Sequence, residues 1–471
     1  MLNITPKGKQ REVLALPSKG HTVVLGTAGS GKTTIALLRA HHLSCLPGNE
    51  RVLLVTFNGA LVEYMKEISA SPSSKIVVEN YHKFARGYLN SRAKMPAWNG
   101  ILDSDKKAAY IEQAVDHCRK IYPTESTFKR PVSFFVEEIT FIQHFGFNNF
   151  EEYYKSERIG RATANIKREN RKWIFEVYKK YIELRKAAGR EYDWDDLAFF
   201  AYKELQQDDS PRRYTHIIID EGQDFSPMMI KSLVCAVAPG GSFTFFGDVA
   251  QQIYGSRLSW RDSGIETDKV WRFDANYRNP ETITKFAGDI TKSPYWRHDS
   301  DMIEASHSIA EGPKPILVKF GTEAKEISWV VERAAAAATT SSAVIVCRTR
   351  ADIDVFAQAF RAAGCHTTEI NKDTPGFAHV KDIYLTTFHA AKGLEFEHVF
   401  VPFLNENKLP DPESVAQASS KEDAYADEIK LLYVAATRSK YALYMTYNST
   451  LTPLFPQNVL SVDYYSEEDL L

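Results

Sequence analysis

The sequence predicts an α/β protein with two parallel-sheet lobes and a helical insertion in the first. Three observations carry this. Short apolar, β-branched runs alternate with helical segments through residues 20–80 and return near residue 216. A glycine-rich loop, GTAGSGKTT at Gly26–Thr34, joins a strand to a helix. The alternation starts again after Pro280, in a chain whose 471 residues are too many for one ordinary core.

In order along the chain, His21–Gly26 (HTVVLG) reads as a buried strand and Lys32–His42 as the helix behind the loop. Arg51–Phe57 (RVLLVTF) is a second strand, followed by a helix through Met65, and Lys75–Glu79 is a third strand. Strands separated by helices imply a parallel, doubly wound sheet. From about Asn90 to Gly189 the β-branched runs vanish, and aromatic and charged residues mix at helical spacing. Within this stretch Arg158–Arg190 holds eleven Lys/Arg against three Glu. Two readings stay open for it: a solvated helix surface, or one wall of a nucleic-acid groove. Strands resume at His216–Ile219 and Phe243–Phe246. In the second lobe Ile316–Phe320, Ala343–Cys347, Ile383–Thr387 and Val399–Phe403 read as strands, and Ala334–Ala338 as a helix end. The expected divisions are 1–90 with 190–275 for the first lobe and 91–189 for the insertion. Residues 276–460 form the second lobe, and 461–471 an acidic, mobile tail.

Composition narrows the function. The chain is 44% apolar and 25% charged, as soluble globular proteins are. A net charge of −2 excludes indiscriminate attraction to polyanions, so any nucleic-acid site must be a local basic groove. The five cysteines contain no CxxC pair, which argues against a zinc or iron–sulfur site and fits a reducing compartment. Their simplest role is as small core residues. No apolar signal region opens the sequence, and no run of about 18 apolar residues occurs. A cytoplasmic protein with no membrane partner is expected.

The spacing Gly26-x4-Gly31-Lys32-Thr33 between strand and helix is that of a phosphate-binding loop. Backbone N–H groups of Gly26, Thr27, Ala28, Gly29, Ser30 and Gly31, with Thr34 in the first helical turn, would cradle phosphate oxygens. Lys32 would reach the β- and γ-phosphates of ATP, and the Thr33 hydroxyl would hold Mg²⁺. The strand at His216–Ile219 delivers two carboxylates, Asp220 and Glu221, to the carboxyl edge of the sheet, where ligands sit in such folds. Asp220 is the expected second Mg²⁺ ligand and Glu221 the general base for the attacking water.

With GDVAQQIY at Gly247–Tyr254, NYR at Asn276–Arg278, TTFHAAKGLEF at Thr386–Phe396 and LLYVAATRSK at Leu431–Lys440, the chain resembles the UvrD/Rep-like superfamily-1 DNA helicases. The resemblance runs from Leu2 to about Leu443 and implies two RecA-like lobes. It implies further that Gln10 reads adenine, Gln251 senses the γ-phosphate, and Tyr277 stacks on adenine. Arg278 and Arg438 become arginine fingers, and Glu395 a second-lobe nucleotide contact. For strand binding it implies Phe57, Tyr81, His82, Tyr254, Arg257 and His389. Each aromatic has a plainer reading as core packing.

Two departures stand out. The family commonly reads Tyr-x-Trp-Arg where this chain has Tyr254-Gly255-Ser256-Arg257, which removes a stacking partner worth about 1–3 kcal/mol; Trp260 is a candidate substitute. The nineteen residues Gly364–Asp382 leave no room for the large helical insertion that relatives carry before HAAKGLEF. The activity implied is ATP-dependent translocation on single-stranded DNA or tailed duplex, 3′ to 5′. The alternative is a DNA-sensing regulatory ATPase that serves a nuclease partner in repair or phage defence.

Overall fold

The structure is a computed structural model. It describes residues 5–57, 59, 62, 65, 74–96, 100–156, 166–248, 263–267, 269–296, 307–370, 381–418, 420–457 and 459–470. The expected helix through Met65 lies largely outside the described residues, and Gln251, Tyr254, Arg257 and Trp260 lie wholly outside them.

The first lobe is built on β1 (Gly20–Gly26), β2 (Val52–Thr56), β3 (Ile76–Asn80), β6 (Tyr214–Ile219), β7 (Val237–Gly247) and β8 (Val270–Phe273). Their spatial order is β3-β2-β6-β7-β1-β8, and every pairing is parallel. All five residues of β2 are buried, as are Ile217, Ile218 and Ile219 of β6. Such two-sided burial selects β-branched and aliphatic residues with no alternation. Register places Leu25 beside Gly247, Ile219 beside Phe245 and Val55 beside Ile219. The phosphate loop, Asp220 and Asp248 therefore leave the sheet along one edge.

The insertion enters at β4 (Ile101–Leu102) and leaves at β5 (Tyr192–Asp193), which pair in parallel and close its neck. Between them run helices Ser104–Ile121, Val132–Phe145, Phe150–Lys155 and Arg171–Ala187 around an aromatic core. Beside the neck lies a buried ionic network. Lys107 Nζ donates to Asp195 at 2.6 Å and to Gln143 at 2.7 Å. The fully buried Arg185 bridges Asp196 at 2.7 Å and Asp193 at 3.1 Å, and Tyr181 donates to Asp193 at 2.5 Å. Burial and then Asp193 push Asp196 up to about 7.

Among the described residues of the basic stretch ending at Arg190, several cations are structural. Arg171 and Arg185 are buried, and Lys179, Lys180 and Lys186 pair with Glu176, Glu183 and Glu191 at 2.8, 2.8 and 2.7 Å. Several cations of the helix Arg171–Ala187 are thus engaged locally, while exposed Lys172 lies over the Trp173 ring at 4.3 Å. Of the cysteines, only Cys118 and Cys347 are core residues; Cys45 is exposed and the other two are half-buried.

The chain passes to the second lobe through β9 (Ala275–Pro280), paired with β10 (His307–Ala310). The second sheet contains β11 (Ile316–Lys319), β12 (Ala343–Cys347), β13 (Thr368–Glu369), β14 (Ile383–Thr387), β15 (Phe396–Val401), β16 (Ser439–Tyr447) and β17 (Asp463–Ser466). Its order is β13-β14-β12-β15-β16-β11-β17, again parallel throughout. The acidic tail, expected to be mobile, is instead tied down, because β17 adds a strand to β11. Its charges are held by Lys314 on Asp463 at 3.2 Å and by Lys325 on Glu467. Charge composition alone missed the DYYS strand.

Arg185→Ala would leave Asp193 and Asp196 buried without their cation, a loss expected to cost about 3–5 kcal/mol. Urea unfolding followed by far-ultraviolet dichroism reads it, and a loss below about 1 kcal/mol would show that the network does not hold the neck.

Candidate nucleotide site and strand-binding surface

The phosphate loop takes its shape from two glycines. Gly29 and Gly31 have φ of +76° and +82°, where side chains are strained. A Cβ on Gly29 would also lie 2.1 Å from Asn276 Oδ1, and one on Gly31 2.9 Å from Gln10 Nε2. The loop is thus packed against the asparagine of NYR and against Gln10. Tyr277 N donates to Gly29 O at 2.9 Å and Thr27 N to Phe273 O at 3.2 Å. Gln10 Nε2 donates to Ser30 O at 3.0 Å and braces the loop, while its Oε1 accepts from Lys7 N at 3.0 Å. Ala28 and Ser30 are buried, and Thr34 follows in the first turn of the helix Lys32–Ser44.

Lys32 is buried, and its Nζ donates to Gly26 O at 2.9 Å and Thr27 O at 2.8 Å, with Asp248 Oδ2 at 3.5 Å. Thr33 Oγ1 donates to Asp220 Oδ2 at 2.7 Å, while Asp220 Oδ1 is buried with no hydrogen-bond partner. A hydroxyl beside a carboxylate with one unmatched oxygen is a donor set that fits Mg²⁺, a hard cation that prefers oxygen. Burial and then Glu221 push Asp220 up to about 7.

Glu221 occupies the left-handed region at φ +53°, unusual for a residue with a Cβ and frequent where function fixes the backbone. Gln223 Nε2 donates to Glu221 Oε2 at 2.5 Å, and Gln223 Oε1 accepts from Asp248 N at 2.7 Å. Gln223 therefore locks the expected base to the end of β7. Burial raises the Glu221 carboxyl, but Lys32, Lys392 and Arg438 outweigh it and hold the group below its usual range.

The second lobe supplies two of these cations. Lys392, in the HAAKGLEF run, is buried and forms an ion pair with Asp224, itself pushed up to about 7 by burial against the pull of Lys392. Arg438 is buried, donating to Val434 O at 2.8 Å and Thr437 Oγ1 at 3.0 Å; burial and then Arg278 lower it to about 10. Arg278 forms an ion pair with Glu395. Asn279 Nδ2 donates to Thr437 O at 3.0 Å and Ser439 O at 2.6 Å, which fixes the NYR segment to the strand behind Arg438. Lys32, Asp220 and Glu221 thus meet Arg438 where the two lobes join, with Arg278 and Glu395 beside Arg438, while Gln10 and Tyr277 pack on the phosphate loop. Reading motifs for their family roles passed over Lys392, inside TTFHAAKGLEF, and Gln223 and Asp224, which closely follow Glu221.

The residues expected to face a strand divide. Phe57 is half-buried, with its ring 5.5 Å from His82 and 6.2 Å from Phe225. His82 also meets Trp194 at 5.3 Å, and burial lowers its imidazole below the ordinary value. Phe57, His82 and Trp194 form a partly open aromatic cluster at the carboxyl edge of the first sheet; Trp194 escaped notice because it lies far away in sequence. Tyr81 must be withdrawn from this set. It has no exposed surface, and its hydroxyl bonds Ser232 Oγ at 2.7 Å, so it is a core residue. His389 is half-buried beside Lys392, and burial, Arg348 and Lys392 lower it to about 4.

Similarity to known proteins follows this geometry. The UvrD/REP helicase N-terminal domain matches residues 7–268, and the UvrD-like helicase C-terminal domain matches residues 365–450. The chain belongs to the UvrD/REP helicase family. A Bacillus subtilis (strain 168) relative, provisionally named as the ATP-dependent DNA helicase YjcD, is 29% identical over 67% of this chain and 42% of its own length. A Mycoplasma pneumoniae relative, provisionally named a DNA helicase, is 22% identical over 90% of this chain and 80% of its own length. The exonuclease/helicase protein RexA of Lactococcus lactis subsp. cremoris (strain MG1363) is 29% identical over 29% of this chain and 12% of its own length. The family assignment accords with two parallel-sheet lobes. Among the described residues of this UvrD/REP-family chain, no helix is long and apolar enough to cross a membrane.

Two outcomes are expected. Gln223→Ala should lower ATP turnover about 100-fold by freeing Glu221, while bound nucleotide is retained; loss of nucleotide binding would mean that Gln223 shapes the pocket instead. For His389 the folded-state value, about 4, lies below the ordinary 6.5. The unfolded chain binds the extra proton first, so this group's contribution to stability falls as pH drops from about 6.5 toward 4. His389→Gln should therefore lose less melting temperature than the unsubstituted chain between about pH 7 and pH 5; equal losses would show that another group is responsible.

Proposed function

We propose that this chain is an ATP-driven motor that moves along single-stranded DNA, 3′ to 5′, and separates tailed duplex. The observation that carries the reading is the convergence of cations from both lobes on the carboxylates at the end of β6. Lys32 comes from the phosphate loop, and Lys392 and Arg438 from the second lobe. Hydrolysis then depends on how the lobes meet, and lobe closure is a motion that can advance a strand.

In the hydrolytic step the phosphate loop and Lys32 hold the β- and γ-phosphates. Thr33 and Asp220 would hold Mg²⁺, which when bound neutralises phosphate charge. Glu221, kept ionised by its cations and aimed by Gln223, accepts a proton from the attacking water. Arg278 and Arg438 stabilise charge that develops on the transferred group. Gln251 would report the γ-phosphate, and Tyr277 and Gln10 flank the base side of the loop. The strand would run over Phe57, His82 and Trp194, with His389, Tyr254 and Arg257 as further contacts.

A second reading has its own support. The likeness to an exonuclease/helicase protein, and Ser256 where the family commonly has a stacking Trp, favour a regulatory ATPase that senses DNA for a nuclease partner in repair.

Steady-state ATP hydrolysis with and without single-stranded DNA separates the two. Strong stimulation is expected, with Glu221→Gln retaining ATP but losing at least about 100-fold in turnover, and Arg438→Ala losing about 1,000-fold. Basal turnover that DNA leaves unchanged would favour the partner-dependent ATPase. Unaltered stimulation in Arg438→Ala would refute the two-lobe mechanism.

A further inference from the structure

A cleft of about 740 Å³ opens between the insertion and the first lobe. One wall is the segment from Phe145 to Ser156; the other is formed by helices Leu197–Gln207 and Pro227–Cys235. None of the residues placed above at the nucleotide or along the aromatic cluster lines it.

The cleft is positively charged in a molecule that is not. Lys155, Lys203 and Lys231 line it against one carboxylate, Glu152. That carboxylate is occupied, accepting from Asn148 N at 2.7 Å and Asn149 Nδ2 at 3.0 Å. Lys155 pairs with Glu151 at 3.5 Å on the surface. Lys203 and Lys231 are half-buried, and among the described residues neither has a carboxylate partner. Each lies over a ring instead, Lys203 5.4 Å from the centre of Phe199 and Lys231 5.2 Å from that of Tyr202. A partly desolvated ammonium beside rings alone is a charge that an incoming anion would stabilise.

The rings select the kind of anion. Phe147, Phe199 and Tyr202 are half-buried, each with part of its ring surface open to the cleft. Ammonium groups interleaved with open rings suit a single strand, whose phosphates meet the lysines and whose unpaired bases stack. A duplex keeps its base faces in its own stack and could use the lysines only.

Position adds a further argument. The end of helix Val132–Phe145 divides this cleft from the aromatic cluster. His144 bonds Asp195 at 3.0 Å, next to Trp194, while Phe145 and Phe147 line the cleft on the other side. We infer that the cleft binds a second single-stranded segment, the arm of a fork that does not follow the Phe57–His82–Trp194 cluster. This rests on the reading of the chain as a DNA motor.

The test is fluorescence anisotropy with a duplex carrying two single-stranded arms, compared with the same duplex carrying one arm. The chain is compared with Lys203→Gln/Lys231→Gln and with Lys203→Arg/Lys231→Arg, whose melting temperatures establish that they fold. The second arm should tighten binding. The glutamine pair should lose about tenfold on the two-armed fork, with the salt slope reduced by about 1.4, and the arginine pair should keep both. Equal affinity of the glutamine pair and the unsubstituted chain for the fork would overturn the inference. So would competition by base-free polyphosphate as strong as by an oligonucleotide, because the rings would then be irrelevant. Hydrolysis stimulated by a short single strand, measured on the unsubstituted chain, judges the motor reading separately. Its absence sinks that reading, whereas its presence with a null fork result sinks only the cleft.

Discussion

Three carboxylates, Asp220, Glu221 and Asp224, are buried within five residues at the end of β6, and the site is arranged around keeping them there. A carboxylate taken out of water costs several kcal/mol unless cations and donors replace its hydration. The first lobe offers only part of that replacement, through Lys32, Thr33 and Gln223. The rest arrives from the second lobe as Lys392 and Arg438. Opening the lobes would strip these cations from Glu221 and Asp224 and force water or protons to take their place. Burial raises Asp220 and Asp224 to about 7 against the pull of Lys32 and Lys392. A triphosphate entering the loop would compete with these carboxylates for Lys32 and Arg438, so nucleotide state and lobe geometry draw on one set of charges.

The same constraint accounts for the backbone around the site. Glu221 adopts a left-handed conformation that its side chain disfavours, and Gln223 holds it through bonds to both Glu221 and Asp248 N. Gly29 has no room for a Cβ because Asn276 packs against it, and Asn276 is held in turn by Asn279, which bonds the second lobe at Thr437 and Ser439. A rotation of the second lobe would therefore reach the phosphate loop through three contacts. No long-range pathway is needed for the two halves of the site to sense each other.

Much of this was readable before any coordinates. The strands announced themselves because two-sided burial leaves unbroken aliphatic runs, and the phosphate loop because its glycines are demanded by backbone angles. What escaped reading has physical causes. Tyr81 follows a strand in the position of a strand contact, yet its side chain turns inward to Ser232, a rotation that spacing does not encode. The last residues looked mobile because their acidity is conspicuous, whereas the hydrogen bonds of β17 to β11 leave no trace in composition. The basic helix of the insertion was also only partly legible. Lys179 and Lys180 pair with glutamates three residues off, and Arg171 and Arg185 are interior. The more unusual cations, Lys203 and Lys231, sit in stretches with no excess of charge at all.

The path from the Phe57 cluster to the buried carboxylates is short. Phe57 touches Phe225, the residue after Asp224; Asp224 pairs with Lys392; and Lys392 lies three residues beyond His389 on the second lobe. A base pressed on Phe57 and a backbone held near His389 would both act on the Asp224–Lys392 pair, one from each lobe. That pair is made between two buried side chains, where breaking it would be costly. When it is made, Lys392 also helps to hold Glu221 ionised. A strand on this surface, as proposed above, would thus bias the same charge that holds Glu221 ionised, a physical route by which DNA could stimulate hydrolysis.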